Sequence, residues 1–69
     1  MTTAERTIAR VNAGHSIRGL ARTLGVSEQI VRRVEAGEQV RPESAKPLAD
    51  FYGITVAELL GISTDQEAA

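Results

Sequence analysis

The fold is constrained most by residues 20–37, LARTLGVSEQIVRRVEAG, in which two helical patterns are separated by only three residues. The first pattern begins at Ile17, just before this run, and its apolar residues Ile17, Leu20, Ala21 and Leu24 have the i, i+3, i+4 and i+7 spacing of one helix face. Gly25 is suited to end that helix, and Ser27 is suited to cap the next one. Only Gly25, Val26 and Ser27 connect the two helices. Because a connection this short cannot place them antiparallel, we expect them to cross steeply.

Cap residues and apolar periodicity predict five helices, so the predicted fold class is all-α. Thr2 and Glu5 fit a capping box at the start of the first helix. In the same helix Ile8 and Val11 have the spacing of a core-facing pair, which Ala4 can join. The predicted helices span residues 2–13, 17–24, 28–36, 45–52 and 56–60.

The start of the fourth helix is constrained by Pro42 and Pro47. Proline is favourable at the first helical position but removes a needed backbone donor beyond the first turn. A helix that begins at Pro42 places Pro47 past that turn. We therefore expect Ser44 to cap the helix and Ala45 to begin it. Pro47 then occupies the third position, where no intrahelical donor is needed.

Composition excludes several classes of protein. The 69 residues suffice for one small domain, and the absence of cysteine excludes disulfides and thiolate metal sites. No apolar run approaches the ~18 residues of a membrane span, and the N-terminus lacks a signal-peptide pattern, so we expect a cytoplasmic protein.

His15 is isolated, and Ser16 and Ser27 fit helix caps better than nucleophiles. The sequence therefore predicts no catalytic residue, no metal site and no cofactor.

The net charge of −1 combines two parts of opposite charge. Residues 6–41 contain seven arginines and three glutamates, a balance of +4. Residues 42–69 contain one lysine and five acidic residues, a balance of −4. The two closely joined helices lie in the basic part. This polarity is compatible with an anionic partner, and equally with a solvated surface that has no partner.

The spacing L-A-x-x-x-G-V-S-x-x-x-V-x-R-V-E-x-G, followed by L-A-D-F-Y-G-I-T-V-A-E-L-L, resembles the Cro/CI-type helix-turn-helix family. This family includes lambda-like repressors and Xre-type regulators, and the similarity covers residues 6–61. It implies a compact five-helix, lambda-repressor-like domain that binds operator DNA as a symmetric dimer. We expect residues 1–61 to form this domain and residues 62–69, which are small and acidic, to form a flexible tail.

The resemblance assigns DNA contacts to two sets of positions. In the family the start of the third helix contacts base edges. Phosphates are contacted by the N-terminus of the second helix, the cap of the third helix and the loop after the third helix. Arginine, glutamine and glutamate side chains are suited to guanine, adenine and cytosine, respectively. The base-reading positions in this sequence are Glu28, Gln29, Arg32 and Arg33. The phosphate-binding positions are Ser16, Ile17, Arg18, Ser27, Gln39 and Arg41.

Other positions either match or depart from the family pattern. Arg10 and Glu35 match a pair that joins the first and third helices of many relatives as a structural ion pair. Relatives often begin the second helix with a phosphate-binding glutamine, where this chain has Ile17, so only the backbone can serve there. Glu28 is expected to repel phosphate and to lower non-specific DNA affinity.

The end of the domain formed by the fourth and fifth helices and the residues beside them offers more apolar area than one core needs, which predicts a dimer surface there. The residues of this surface are Ile54, Val56, Leu59, Leu60 and Ile62. The leading hypothesis is a bacterial or phage-encoded, nucleoid-associated regulator that binds double-stranded DNA as a homodimer, as repressors and Cro proteins do. The alternative is a protein-interaction module of the same fold, such as an antitoxin or a regulator partner, with weak DNA binding. A small enzyme would need converging polar groups, which the sequence does not supply.

Overall fold

The computed structural model describes residues 1–62, which form five α-helices. The helices are α1 (Thr3–Asn12), α2 (Ile17–Leu24), α3 (Glu28–Glu35), α4 (Pro42–Tyr52) and α5 (Val56–Leu60). The all-α prediction is confirmed, and every boundary except the start of α4 lies within one residue of its predicted position. Apart from Ile62, the predicted flexible tail lies outside the described residues. None of the helices in this part of the chain is long and apolar enough to cross a membrane.

The turn between α2 and α3 is closed by backbone and cap hydrogen bonds. Gly25 has a φ of 72°, a left-handed conformation that strongly favours glycine. The N–H of Val26 donates to the carbonyl of Ala21 across 2.9 Å. Ser27 then caps α3, since its side chain accepts from the N–H of Ile30. This short turn fixes α3 against α2, as the sequence predicted.

The core is aliphatic and is supplied by α2, α3, α4 and α5. Four of its side chains are fully buried and large, namely Leu20, Val31, Val34 and Leu48. Burying a side chain of this size stabilises a fold by roughly 1.5–3 kcal/mol. Three buried alanines, at positions 21, 45 and 49, belong to the same core cluster. Because alanine is small, it allows these helices to approach closely.

The predicted start of α4 at Ala45 is wrong. The helix begins at Pro42, and the carbonyl of Arg41 accepts from the N–H of Ala45 across 2.9 Å. Pro42 favours this start because its fixed φ suits the first helical position. Ala45 is fully buried, which fixes the first turn against the core. Pro47 therefore lies in the second turn, where the helix lacks one backbone donor.

The predicted core-facing side of α1 is also wrong. Ile8 and Val11 are 54% and 58% exposed, whereas Arg6 on the same helix is buried. Arg6, Thr7 and Arg10 all form hydrogen bonds to other parts of the domain. These polar partners, rather than apolar packing, decide which side of α1 faces inwards.

Candidate nucleic-acid interface

α3 presents a polar face to solvent and an apolar face to the core. Val31 and Val34 are fully buried, and they hold the helix against the domain. Gln29, Arg32 and Arg33 are exposed on the outer side. Because the inner face is fixed by packing, the outer side chains are displayed from a rigid element. Three of the four predicted base-reading residues are thus exposed together, and the fourth, Glu28, is half-buried at the start of the helix.

A first groove, of about 420 Å³, lies between α2 and the start of α3. Three of the predicted DNA-contacting residues line it: Arg18, Ser27 and Glu28. Arg22 adds a second arginine from α2. Ser16 caps α2 by accepting from the N–H of Gly19 across 2.9 Å. The first backbone N–H groups of a helix have no intrahelical acceptor and are suited to bind phosphate.

A second groove, of about 460 Å³, lies between α3 and the start of α4. It brings together Arg33, which the resemblance assigns to base contacts, and Gln39 and Arg41, which it assigns to phosphate contacts. Ile30 and Val40 supply its apolar lining. The outer face of α3 is therefore flanked on both sides by arginine-containing grooves.

Glu28 links the first groove to the outer face of α3. One carboxylate oxygen lies 3.4 Å from Nε of Arg18, and the other lies 3.5 Å from Nη2 of Arg32. The pair with Arg32 follows from the i, i+4 spacing on one helix. The pair with Arg18 was missed by sequence reasoning, because it depends on how closely α2 approaches α3.

Arg10 and Glu35 form a double contact between α1 and the end of α3. Nε of Arg10 donates to Oε2 of Glu35 across 2.6 Å, and Nη2 donates to Oε1 across 3.3 Å. Thr7 donates to the same Oε1, and Nη1 of Arg10 donates to the carbonyl of His15. The side chains of Arg10 and Glu35 are only 14% and 10% exposed. This network orients the end of α3 and takes no part in the exposed face.

Arg6 was missed by sequence reasoning as a structural residue. Its Nη1 donates to the carbonyl of Val34, and its Nη2 donates to the carbonyl of Leu59. These carbonyls lie in the last turns of α3 and α5, where helices leave acceptors without intrahelical partners, and the carbonyl of Val34 also accepts from the N–H of Gly37. A cation is also favourable at helix C-termini. The available signal was that Arg6, Thr7 and Arg10 share one face of α1.

The predicted dimer residues differ in exposure. Ile62 is 48% exposed, and Ile54, Val56 and Leu60 are partly buried against the core. Leu59 is 5% exposed and is itself a core residue, so its assignment to a dimer surface is corrected. The short helix α5 turns this side chain inwards, and it has little area left for a partner.

Residues 1–62 contain no group of three or more His, Cys, Asp or Glu side chains that could hold a metal ion. His15 lies with its ring edge-to-face against Phe51, with 6.1 Å between the ring centroids. His15, which lies between α1 and α2, is therefore half-buried against α4.

The comparisons with known proteins identify the family. A family model described as a helix-turn-helix domain matches residues 7–61, most of the chain. Searches of curated proteins and of solved structures found no significant match. The match confirms the predicted helix-turn-helix resemblance and indicates a DNA-binding regulator, whereas the narrower Cro/CI-type assignment stays a prediction. The chain belongs to the helix-turn-helix domain family.

Proposed function

We propose that this protein is a sequence-specific regulator that binds double-stranded DNA with α3 in the major groove. The observation that carries the proposal is the outer face of α3, which displays exposed Gln29, Arg32 and Arg33 between two arginine-containing grooves. A major groove is wide enough to admit an α-helix, and each base pair presents a distinct pattern of donors and acceptors there. An exposed polar helix on a rigid base is suited to read that pattern.

The side chains of this face have complementary base preferences. Arg32 and Arg33 are suited to the two acceptors of guanine, and Gln29 to the donor and acceptor of adenine. Glu28 has only acceptors when ionised, which suits the amino group of cytosine. We propose these four residues as the base-reading set.

Phosphate contacts would fix the domain on the duplex. The proposed donors are the backbone N–H groups in the first turns of α2 and α3 and side chains from the two grooves. All of these residues belong to the basic part of the chain. They are Ser16, Ile17, Arg18, Ser27, Gln39 and Arg41, with Arg22 at the rim. The +4 balance of residues 6–41 supports this assignment, because phosphate neutralisation needs positive charge on the contacting surface.

We further propose that two copies bind a palindromic operator and repress by occupying it, as Cro-like proteins do. Two α3 helices on one face of B-DNA must lie about 34 Å apart. Ile54, Val56, Leu60 and Ile62 form the proposed contact between copies, and the exposed side chain of Ile62 supports it. A cytoplasmic, nucleoid-associated location follows from this role and belongs to the same proposal.

The test is selection of bound sites from random duplexes, followed by titrations at several salt concentrations. We expect one enriched sequence with two half-sites, and affinity that falls as salt rises. Arg33→Ala should lose about tenfold or more on the selected site and much less on random DNA. Lys46→Ala, which removes a positive charge outside the proposed interface, is the matched control and should bind normally. No enrichment, or affinity that does not respond to salt, contradicts the proposal.

A second candidate function is a protein-interaction module of the same fold. The observation that favours it is the exposure of Ile8 and Val11 on α1, since an exposed apolar pair is suited to contact another protein. Under this alternative, Ile8→Ser with Val11→Ser abolishes binding to the partner protein, and no duplex is enriched in the selection. Enrichment of a specific duplex by the double variant contradicts it.

A further inference from the structure

Glu28 lies between two arginines that belong to different helices. Arg18 comes from α2, and Arg32 lies one turn further along α3, at 3.4 Å and 3.5 Å from the two carboxylate oxygens. The side chain of Glu28 is 36% exposed, whereas those of Arg18 and Arg32 are 73% and 62% exposed. The carboxylate is therefore held at the groove while both guanidinium groups stay open to solvent.

Both arginines are cations that the proposed function assigns to DNA. Arg18 is assigned to phosphate and Arg32 to base edges, and Glu28 lines the same groove as Arg18 and Ser27. A carboxylate and a phosphate offer similar acceptor oxygens to a guanidinium. In the free domain the Glu28 carboxylate thus occupies the acceptor position beside Nε of Arg18, for which a phosphate oxygen of bound DNA would compete.

We propose that Glu28 is a specificity-determining residue that competes with DNA for Arg18 and Arg32, an inference that rests on the proposed function. On random DNA, phosphate must displace the carboxylate, which is then left unpaired close to other phosphates. On the cognate site a base amino group donates to the released carboxylate, so the lost pairing is replaced. The competition therefore weakens non-specific binding more than specific binding.

The expected size of the effect follows from the exposure of the pairs. Exposed ion pairs are weak, so loss of both raises affinity for random duplex DNA by about three- to tenfold in Glu28→Gln. Arg18 contacts phosphate on DNA in both proteins, so the slope of log Kobs against log salt should change by less than the ~0.9 expected for one added phosphate contact. Affinity for the selected site should rise less or fall, which lowers the specificity ratio.

A double-mutant comparison separates competition from simple charge repulsion. In an Arg18→Ala/Arg32→Ala background, the gain from Glu28→Gln should fall to that of Glu38→Gln. Glu38 is an exposed acid in the loop after α3 and forms no ion pair within residues 1–62, so Glu38→Gln reports the removal of one charge. An equal gain from Glu28→Gln in both backgrounds contradicts the competition and leaves repulsion as the cause.

A measurement without DNA tests the pairing itself. In the NMR spectrum of the free protein, Glu28→Gln should shift the Nε–Hε resonance of Arg18, whereas Glu38→Gln should leave it in place. An unmoved resonance contradicts the inference. If the wild-type protein binds no duplex at any salt concentration, the proposed function fails and the inference fails with it. Wild-type binding combined with unchanged affinity in Glu28→Gln contradicts the inference alone.

Discussion

Nη1 of Arg6 lies 2.7 Å from the carbonyl oxygen of Val34, a residue 28 positions further along the chain. The same guanidinium reaches the carbonyl of Leu59 with Nη2 across 2.9 Å. One side chain of α1 therefore satisfies acceptors at the ends of both α3 and α5. Since α3 is the proposed DNA-reading helix, this contact ties its position to α1 and α5.

Replacing Arg6 should destabilise the domain strongly. Arg6→Met keeps much of the buried stem but removes both donors, which leaves the carbonyl of Leu59 without its partner and the carbonyl of Val34 with only the N–H of Gly37. Hydrogen bonds to charged groups contribute about 1.5–3 kcal/mol each, so we expect a loss of about 3 kcal/mol in the free energy of unfolding. Urea denaturation measures it. Arg6→Lys should be more stable than Arg6→Met but less stable than the wild type, because one ammonium group spans both carbonyls poorly. As a control, Arg22→Ala at an exposed position should change the free energy of unfolding by under about 0.5 kcal/mol.

In contrast to Arg6, the apolar residues Ile8 and Val11 of α1 should contribute little to the stability of the domain. Ile8→Ser and Val11→Ser should each change the free energy of unfolding by only about 0.5 kcal/mol, because both side chains are more than half exposed. Leu20→Ala, at a fully buried position, should cost about 2–5 kcal/mol. Thermal or urea unfolding of the three variants checks the difference. A large loss for the two serine variants would mean that this face of α1 packs against the core after all.

The sequence predicted the arrangement around α3 well, because local signals decide it. Gly25 and Ser27 determine where α2 ends and α3 begins, and the buried Val31 and Val34 determine which side of α3 faces solvent. These signals act over a few residues, so they can be read without knowing the rest of the fold.

α1 could not be predicted in the same way. Apolar periodicity identified Ile8 and Val11 as an inner face, but hydrogen bonds over 28 and 53 positions turned the opposite face inwards. The acceptors for Arg6 are main-chain carbonyls, which every residue carries and no sequence pattern marks. The pairing of Arg18 with Glu28 was unpredictable for a related reason, since it requires the distance between two crossing helices.

The Arg10–Glu35 contact should be strongly coupled and insensitive to salt. Both side chains are nearly buried, so salt screens them poorly. In a double-mutant cycle with Arg10→Met and Glu35→Gln, we expect a coupling free energy of about 1–3 kcal/mol. The exposed Lys46–Asp50 pair at 2.7 Å is the control, and its coupling should stay below about 0.5 kcal/mol. Equal couplings for the two pairs would contradict this assignment.

Tyr52 should make stability fall at alkaline pH. Burial raises the pKa of its hydroxyl from 10.0 to about 12, and the nearby Glu35 carboxylate adds to the rise. The folded state therefore holds this proton at a pH where the unfolded chain has lost it. The free energy of unfolding therefore does not depend on the ionisation of this group below pH 10, and it falls as the pH rises from 10 to about 12. Because the ring is only partly buried, we expect the loss to be about 1–2 kcal/mol.

Tyr52→Phe isolates this effect from other alkaline titrations. The hydroxyl oxygen is buried without a hydrogen-bond partner among the described residues, so its removal at pH 7 should be neutral or stabilising. Urea unfolding of both proteins from pH 8 to pH 12 gives the difference in unfolding free energy at each pH. That difference should stay constant up to about pH 10 and then grow in favour of the phenylalanine variant. A constant difference over the whole range would mean that the Tyr52 hydroxyl titrates alike in the folded and unfolded chains.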